Sequence, residues 1–404
     1  MSLRIATAAL LALSCVLLAQ NVVPPASEKV QAARKLLAQG AREEAGRTLD
    51  DAIRNNAKDG AAHLLLGEML EEDGRAAEAT QALTTAVRLL PQSAEAHNAL
   101  GEALSDLNSL APARIEFEKA LQLAPALPLA HLNLGMVLAQ TDELTLAAKH
   151  LDFAIAKLTA SADLARAHYL RAKVYTDLSQ VERAAAELSI AVKLEPEFTE
   201  AWSDLGQARK TLQDDIGALS AFERAVELSP NDPVALVRLG SELYRQGKLK
   251  PAISQLQHAD SINPQDQTTL NTLQSALRAD GQTAAANDVK ARLVEVLRLR
   301  DLNTQNQLSA ARLNSEGAKL QKEGDLKAAV DKFRQALNLD PDHIGIRVNL
   351  AMALVQLGDW NEGLSELAES MRRQPGDPAL KAAWDDALKR APPGSWVNSA
   401  GPHD

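Results

Sequence analysis

The sequence predicts an all-α fold, a solenoid of about ten stacked helix-turn-helix units, and three features predict it. The first is a small-residue skeleton that returns at a step of 34 residues or close to it. Gly67, Gly101, Gly135, Gly206, Gly240 and Gly317 are followed, twelve residues on, by Ala79, Ala113, Ala147, Ala218, Ala252 and Ala329. Seven residues beyond stand Ala86, Ala120, Ala154, Ala225, Ala259 and Ala336, and Pro91, Pro125, Pro230, Pro264 or Pro341 usually closes the unit. The second feature is apolar spacing. In 60–93, His63, Leu66, Gly67 and Leu70 share one helical face, and Ala79, Leu83 and Ala86 share another. The third is a composition rich in Ala and Leu with only 3% aromatic residues, which suits helices.

From the N-terminus, Arg4 precedes an apolar stretch at 5–19 that is too short for a membrane span of about twenty residues and fits a secretory signal peptide. Cleavage near Ala19 or Gln20 leaves a short linker at 20–25 and a mature chain without an integral membrane span, located extracytoplasmically, in a bacterial periplasm or secreted. The single cysteine, Cys15, lies inside this segment, so the mature chain forms no disulfide. An alternative is a lipoprotein tethered at Cys15, although the residues after it continue the apolar run. The formal net charge of −10 is spread along the chain without a clustered Lys/Arg stripe, which argues against a nucleic-acid partner.

Within each unit Gly74 and its equivalents end a first helix, and Pro91 and its equivalents stop the second. Small residues at Gly67, Ala79 and Ala86 are expected to let the two antiparallel helices approach closely. The order in Trp202, Leu205, Gly206, Ala218, Phe222, Ala225 and Pro230 resembles the tetratricopeptide repeat. That resemblance covers nearly the whole mature chain and implies a right-handed superhelical array. Units fall at 26–59, 60–93, 94–127, 128–161, 165–198, 199–232, 233–266, 267–300, 310–343 and 344–377. The fifth puts Ala172 in the glycine slot; the eighth carries Gln274, Lys290 and Leu293 at seam positions; the tenth has Gly363 and Ser370 for the two alanines. The expected division is an array at 26–300 (repeat eight degraded), a helical connector at 301–309, and a second array at 310–377. A capping helix follows at 378–391, with Leu380, Trp384 and Leu388 inward, then a disordered tail at 392–404. Absence of proline between Pro264 and Pro341 predicts one long, nearly continuous helix over 289–320 joining the arrays, which could hinge only if it frayed around 303–306.

His63, His97, His131 and His168 recur in one slot and suggest a metal ladder. Equivalent positions on neighbouring repeats lie about 10 Å apart, too open for one ion bound at about 2 Å, so they are read as packing residues. No nucleophile with its base, phosphate loop or His-Glu-x-x-His motif occurs, so the expectation is a non-enzyme without metal, cofactor or catalytic residues. The acidic pairs Glu71-Glu72 and Asp214-Asp215 read as solvated turn residues.

Binding is the expected role. The family resemblance implies that the second, fifth, sixth and ninth residues of each first helix face a concave groove. The candidate contacts on that basis are Leu65, Asn98, Leu132, Asn133, Met136, Tyr169, Lys173, Asp204 and Arg238. Glu68, Glu102, Leu129, Arg166 and Gln207 share the same register. The mixed apolar and amide lining suits an extended peptide or a partner helix. Lys173, Asp204 and Arg238 come nearest to the family's carboxylate clamp, but Asp204 repels a carboxylate; Asn133 and Asn349 alone are too few for an asparagine ladder. The partner itself is not named by the sequence. A second reading is an accessory subunit of a separately encoded envelope peptidase or glycosyltransferase.

Overall fold

Most first helices open on a polar cap and each closes on a left-handed residue, and that punctuation sets the architecture. The computed structural model describes residues 27–392. The expected signal peptide with Cys15, the 20–25 linker and the tail beyond residue 392 lie outside the described residues. Among them, every regular element is an α-helix. The first repeats are α1 (Glu28–Ala38) with α2 (Arg42–Asn55), α3 (Gly60–Glu72) with α4 (Ala76–Leu89), and α5 (Ala94–Asp106) with α6 (Leu110–Leu123). Next come α7 (Pro128–Gln140) with α8 (Leu144–Lys157), and α9 (Ser161–Asp177) with α10 (Val181–Leu194). They are followed by α11 (Thr199–Thr211) with α12 (Asp215–Leu228), and α13 (Pro233–Arg245) with α14 (Leu249–Ile262). Then stand α15 (Gln267–Ala279), α16 (Thr283–Glu323), α17 (Leu326–Leu339), α18 (Ile344–Leu357), α19 (Trp360–Arg373) and α20 (Pro378–Arg390).

The described residues divide into two compact units, one ending at Asn263 and the other beginning at Pro264. The connector expected at 301–309 lies inside a single helix of the second unit. That helix is α16, 41 residues long, which serves as second helix of repeat eight and first helix of repeat nine. Its N-terminal third buries Ala286, Val289 and Leu293 and its C-terminal third buries Ala310 and Gly317, with no buried residue between them. It runs unbroken through 303–306, as the long helix expected from sequence requires. No proline interrupts it, and a helix already nucleated at both ends propagates through the middle at little further cost.

The small-on-small approach expected from sequence is present, a Cβ on Gly135 or Gly240 lying 3.4 Å from the Ala147 or Ala252 carbonyl, and the seam adds a large side chain to it. The glycine of the first helix faces the large side chain sixteen residues later, which stands between the two alanines. A Cβ built on Gly101 would lie 2.5 Å from the Phe117 ring, on Gly67 2.4 Å from Leu83, and on Gly206 2.5 Å from Phe222. Those large residues are fully or almost fully buried. Where the slot holds alanine, its partner is leucine: Ala172 with Leu188 and Ala351 with Leu367, all buried. Repeat ten goes further and exchanges the pair, so that Gly363 on α19 approaches the Ala351 carbonyl at 3.0 Å for an added Cβ. Ser370 replaces the second alanine and satisfies its hydroxyl on the Glu366 carbonyl at 2.9 Å. In repeat eight, Lys290 is exposed in the large-residue slot opposite Gln274, so that seam has no buried knob.

The turn after each first helix holds a residue at positive φ. Gly40, Gly74, Gly247 and Gly281 do so without a Cβ penalty, whereas Asn108, Asp142, Ser179 and Gln213 do so with one. At Gln213, φ is 62°, and the following Asp214 N–H returns to the Arg209 carbonyl at 2.9 Å, a Schellman closure. The C-terminal α20 covers Ala351, Val355, Leu364 and Leu367 with Trp384 and Ala387. Leu388, assigned inward by sequence, is instead 40% exposed, because the buried stripe follows 380, 384 and 387.

Two outcomes test this account. Gly101→Ala is expected to destabilise by about 1–3 kcal/mol through overpacking on Phe117, and Phe117→Leu added to it to recover much of the loss, both read in urea unfolding. Gln213→Gly is expected to raise stability by about 1 kcal/mol, seen as a higher melting midpoint, because it removes the left-handed strain of a side-chain-bearing residue.

Candidate functional site

The first helices of the unit ending at Asn263 carry the polar groups that the sequence analysis singled out, and side chains one repeat apart bond across the gap between neighbours. The spacing of these bonds is 34 or 35 residues, one repeat or one repeat plus one, except for Asn133 to Glu102 at 31. Asn133 Nδ2 donates to Asn98 Oδ1 at 3.2 Å and also to Glu102. The Tyr169 hydroxyl donates to Asp204 at 3.2 Å, and Arg238 donates to Asp204 at 2.9 Å and to Ser203 at 2.7 Å. Burial pushes the Tyr169 phenol pKa up, and the Asp204 charge beside it pushes the same way. In the other unit Asn349 donates to Asn314 at 2.9 Å. Short asparagine pairs thus exist in both units, though not a continuous ladder.

Two hollows lie on this inner face. One, of about 240 Å³, is lined by Lys173, Asp204, Gln207 and Arg238 over a floor that includes Ala172, Leu188 and Ala208. Asp204 there is held between Tyr169 and Arg238, while the Lys173 ammonium lies 5.7 Å from the Tyr169 ring centroid. The other hollow, of about 500 Å³, is a bowl over α3, α5, α7 and α9. Its lining includes Glu68, Glu71, Glu72, Glu95, Asn98, Glu102 and Asp106, with Leu127, Leu129 and Met136 on one side and Arg166 at the margin.

Most of the expected contact residues come together here. Asn98 and Met136 line the bowl, and Lys173, Asp204 and Arg238 line the smaller hollow. Tyr169 is half-buried beside the latter. Leu65 and Leu132 are corrected: both are buried, Leu65 packed among Val30, Ala33 and Met69, and Leu132 within the core around Phe117 and Leu151. Asn133 is also buried, at 1% exposure, beneath the bowl. Glu71, assigned to a solvated turn from sequence, belongs to the last turn of α3 and faces the bowl. The signal that would have found it is its place three residues after Glu68, opposite Glu102 and Asp106.

The bowl raises its own carboxylates. Burial pushes Glu71 up to about 8, and Glu102, Asp106 and Glu68 add repulsion that Arg166 only partly offsets. Burial also raises Glu68 and Glu102, the latter against hydrogen bonds from Asn133 and Asn98.

The recurring histidines have a structural task that sequence did not show. His97 and His131 place Nε2 at 3.3 and 3.0 Å from the carbonyls of Pro91 and Pro125, six residues back. Trp202 and Arg347 donate to the equivalent carbonyls of Pro196 and Pro341 at 3.0 and 2.6 Å. The same slot reaches nineteen residues forward to the second helix: His97 to Glu116 and His168 to Glu187, each at 2.6 Å, and His131 to His150 at 2.9 Å. These side chains pin the inter-repeat turn and stitch the helix pair. Among the described residues no group of three or more His, Cys, Asp and Glu side chains is arranged to hold a metal ion. Likewise, no described helix is long and apolar enough to cross a membrane.

Comparison with known proteins decides the family. Tetratricopeptide-repeat patterns match residues 30–94, 74–128 and 169–233 in one form and 320–383 in another, together more than half of the chain. The chain belongs to the tetratricopeptide-repeat family. Proteins of this family act as protein-interaction scaffolds. The heat-shock protein cognate co-chaperone sgt12 of Aspergillus fumigatus is 32% identical over 25% of this chain and 31% of its own length. The cytochrome c-type biogenesis protein CycH of Pseudomonas aeruginosa is 33% identical over 29% of this chain and 30% of its own. The chain thus spans about a third of the length of these curated relatives. Among solved structures, Pseudomonas aeruginosa pilF is 17% identical over 54% of this tetratricopeptide-repeat chain and 97% of its own, with a TM-score of 0.49.

The raised carboxylate has a measurable consequence. Between pH 4.5 and about 8 the folded protein keeps a proton on Glu71 that the unfolded chain has released, so this group makes stability fall as pH rises through that window. Glu71→Gln is expected to raise the melting midpoint at pH 8 by about 2 °C, the shift for roughly 1 kcal/mol after allowance for solvent screening. At pH 4 the variant and parent are expected to melt together.

Proposed function

We propose that this chain is a non-enzymatic scaffold, exported from the cytoplasm, that holds a peptide or helix of another protein along the inner face of the unit ending at Asn263. One observation carries the reading: two adjoining hollows open on successive first helices, and their polar linings are fixed by bonds between repeats. A lining held in place before the partner arrives loses less side-chain freedom on binding. Its mixture of half-buried apolar and polar groups suits a segment that presents side chains to alternate pockets. The polar groups of the smaller hollow are engaged with one another, Asp204 between Tyr169 and Arg238, in the manner of a shaped surface. Export is supported by the apolar 5–19 stretch behind Arg4.

Variants that alter the surface and spare the core test it. Leu132 is unsuitable, because it is fully buried. Met136→Ala with Lys173→Glu is expected to cut partner recovery about tenfold in a crosslinked pull-down from the native compartment, with helical circular dichroism retained. A drop of that size matches the loss of roughly 1.4 kcal/mol of binding energy. Equal recovery of the same proteins by parent and variant overturns the groove assignment.

A further inference from the structure

Charge is distributed unevenly along the inner face of this unit. The smaller hollow is balanced, Lys173 and Arg238 against Asp177 and Asp204. The bowl is not: its lining sets six carboxylates against one guanidinium, Arg166 at the margin. Arg166 Nη2 lies 3.6 Å from Met136 Sδ and forms no ion pair among the described residues, while Arg34 acts on Glu68 from outside the lining. Among the described residues, Glu72 alone of the six is ion-paired, with Arg42 on α2. Like charges crowded in a partly desolvated concavity repel with little screening, and a cation placed among them removes that cost.

A second observation is independent of the charge count. Asn133, 1% exposed, lies on α7 beneath the bowl, where its amide nitrogen bonds the lining residues Asn98 and Glu102. Its carbonyl oxygen, Oδ1, is buried and has no donor. A buried acceptor without a partner is uncommon and costs about 1–3 kcal/mol. The unmet acceptor thus lies directly beneath the bowl, next to the Asn98 and Glu102 side chains that line it, while the bowl itself carries a surplus of carboxylates on its walls.

We propose that the bowl over α3, α5, α7 and α9 receives a lysine or arginine side chain of an extended partner segment, with the aliphatic stem lying on Leu127, Leu129 and Met136. This deepens the groove reading above and rests on it. The ammonium or guanidinium supplies the positive charge and the N–H donors that the bowl lacks, and the three apolar residues accept the methylene stem. The proton that Glu71 holds near neutrality is released when the cation arrives, because an opposite charge favours its ionised form.

The probe is a capped nonapeptide alternating arginine and alanine, with a glutamate–alanine counterpart, titrated by calorimetry at pH 7 into the mature chain. The arginine peptide is expected to bind with proton release, seen as an enthalpy that varies with buffer ionisation heat, and the glutamate peptide to show no heat. The triple variant Glu68→Gln, Glu71→Gln, Glu102→Gln is expected to weaken the arginine peptide at least tenfold. Replacing three carboxylates elsewhere, with Glu182→Gln, Glu197→Gln and Glu223→Gln, is expected to leave binding within twofold. Equal loss in the two triple variants, unchanged binding in the first, or no binding of the arginine peptide overturns the proposal. If the bowl variant keeps its natural partner while Met136→Ala with Lys173→Glu loses it, this inference fails and the groove reading stands. If neither set changes partner recovery, the groove reading fails with it.

Discussion

The contact between a first-helix glycine and the large side chain sixteen residues later determines how closely the two helices of each pair can pack. At Gly101 the Phe117 ring occupies the space a Cβ would need, and the neighbouring alanines Ala113 and Ala120 are fully buried. The close approach that results makes each pair a slab with apolar residues on its two broad sides, stable only when neighbours cover them. Everything that faces the hollows, from Glu68 to Arg238, is carried on these slabs and inherits its spacing from them. That is why bonds such as Tyr169 to Asp204 and Arg238 to Asp204 can recur at one repeat length.

Much of the fold was legible because the period, the glycine–alanine skeleton and the proline stops are local signals. The partner of the glycine was not: Leu83 and Phe117 look like ordinary core residues until the helices are folded onto each other. Unit ten shows the same limit. Gly363 read as a departure from the pattern, yet it compensates Ala351 across the seam, a relation visible only when both positions are placed in space. The long helix could be read from the missing prolines, but the compact-unit boundary could not. That boundary depends on which pairs α16 joins, and α16 belongs to two repeats at once.

The candidate site was legible in register and not in burial. Counting along the first helices found Asn98, Met136, Lys173, Asp204 and Arg238, all of which line the hollows, but the same count brought in Leu65 and Leu132, which the neighbouring repeat covers. Glu71 was missed because a charged pair near a helix end ordinarily means solvent, and only the crowding by Glu102 and Asp106 from α5 makes it unusual. The histidine slot was read correctly as structural, while its mechanism needed coordinates. His, Trp and Arg share little except a donor long enough to reach the turn carbonyl, and that shared reach explains why the slot tolerates all three.

The uninterrupted α16 imposes a rule on how the second unit can change in length. A residue added to or removed from its exposed middle turns everything attached beyond that point by about 100° and displaces it by about 1.5 Å. Most such edits therefore swing the α17 contact face away from its original bearing. Edits near multiples of eighteen residues, five full turns, restore the angle. The stretch behaves like a threaded shaft, on which length and orientation cannot be adjusted separately, whereas a loop of the same span would let both drift.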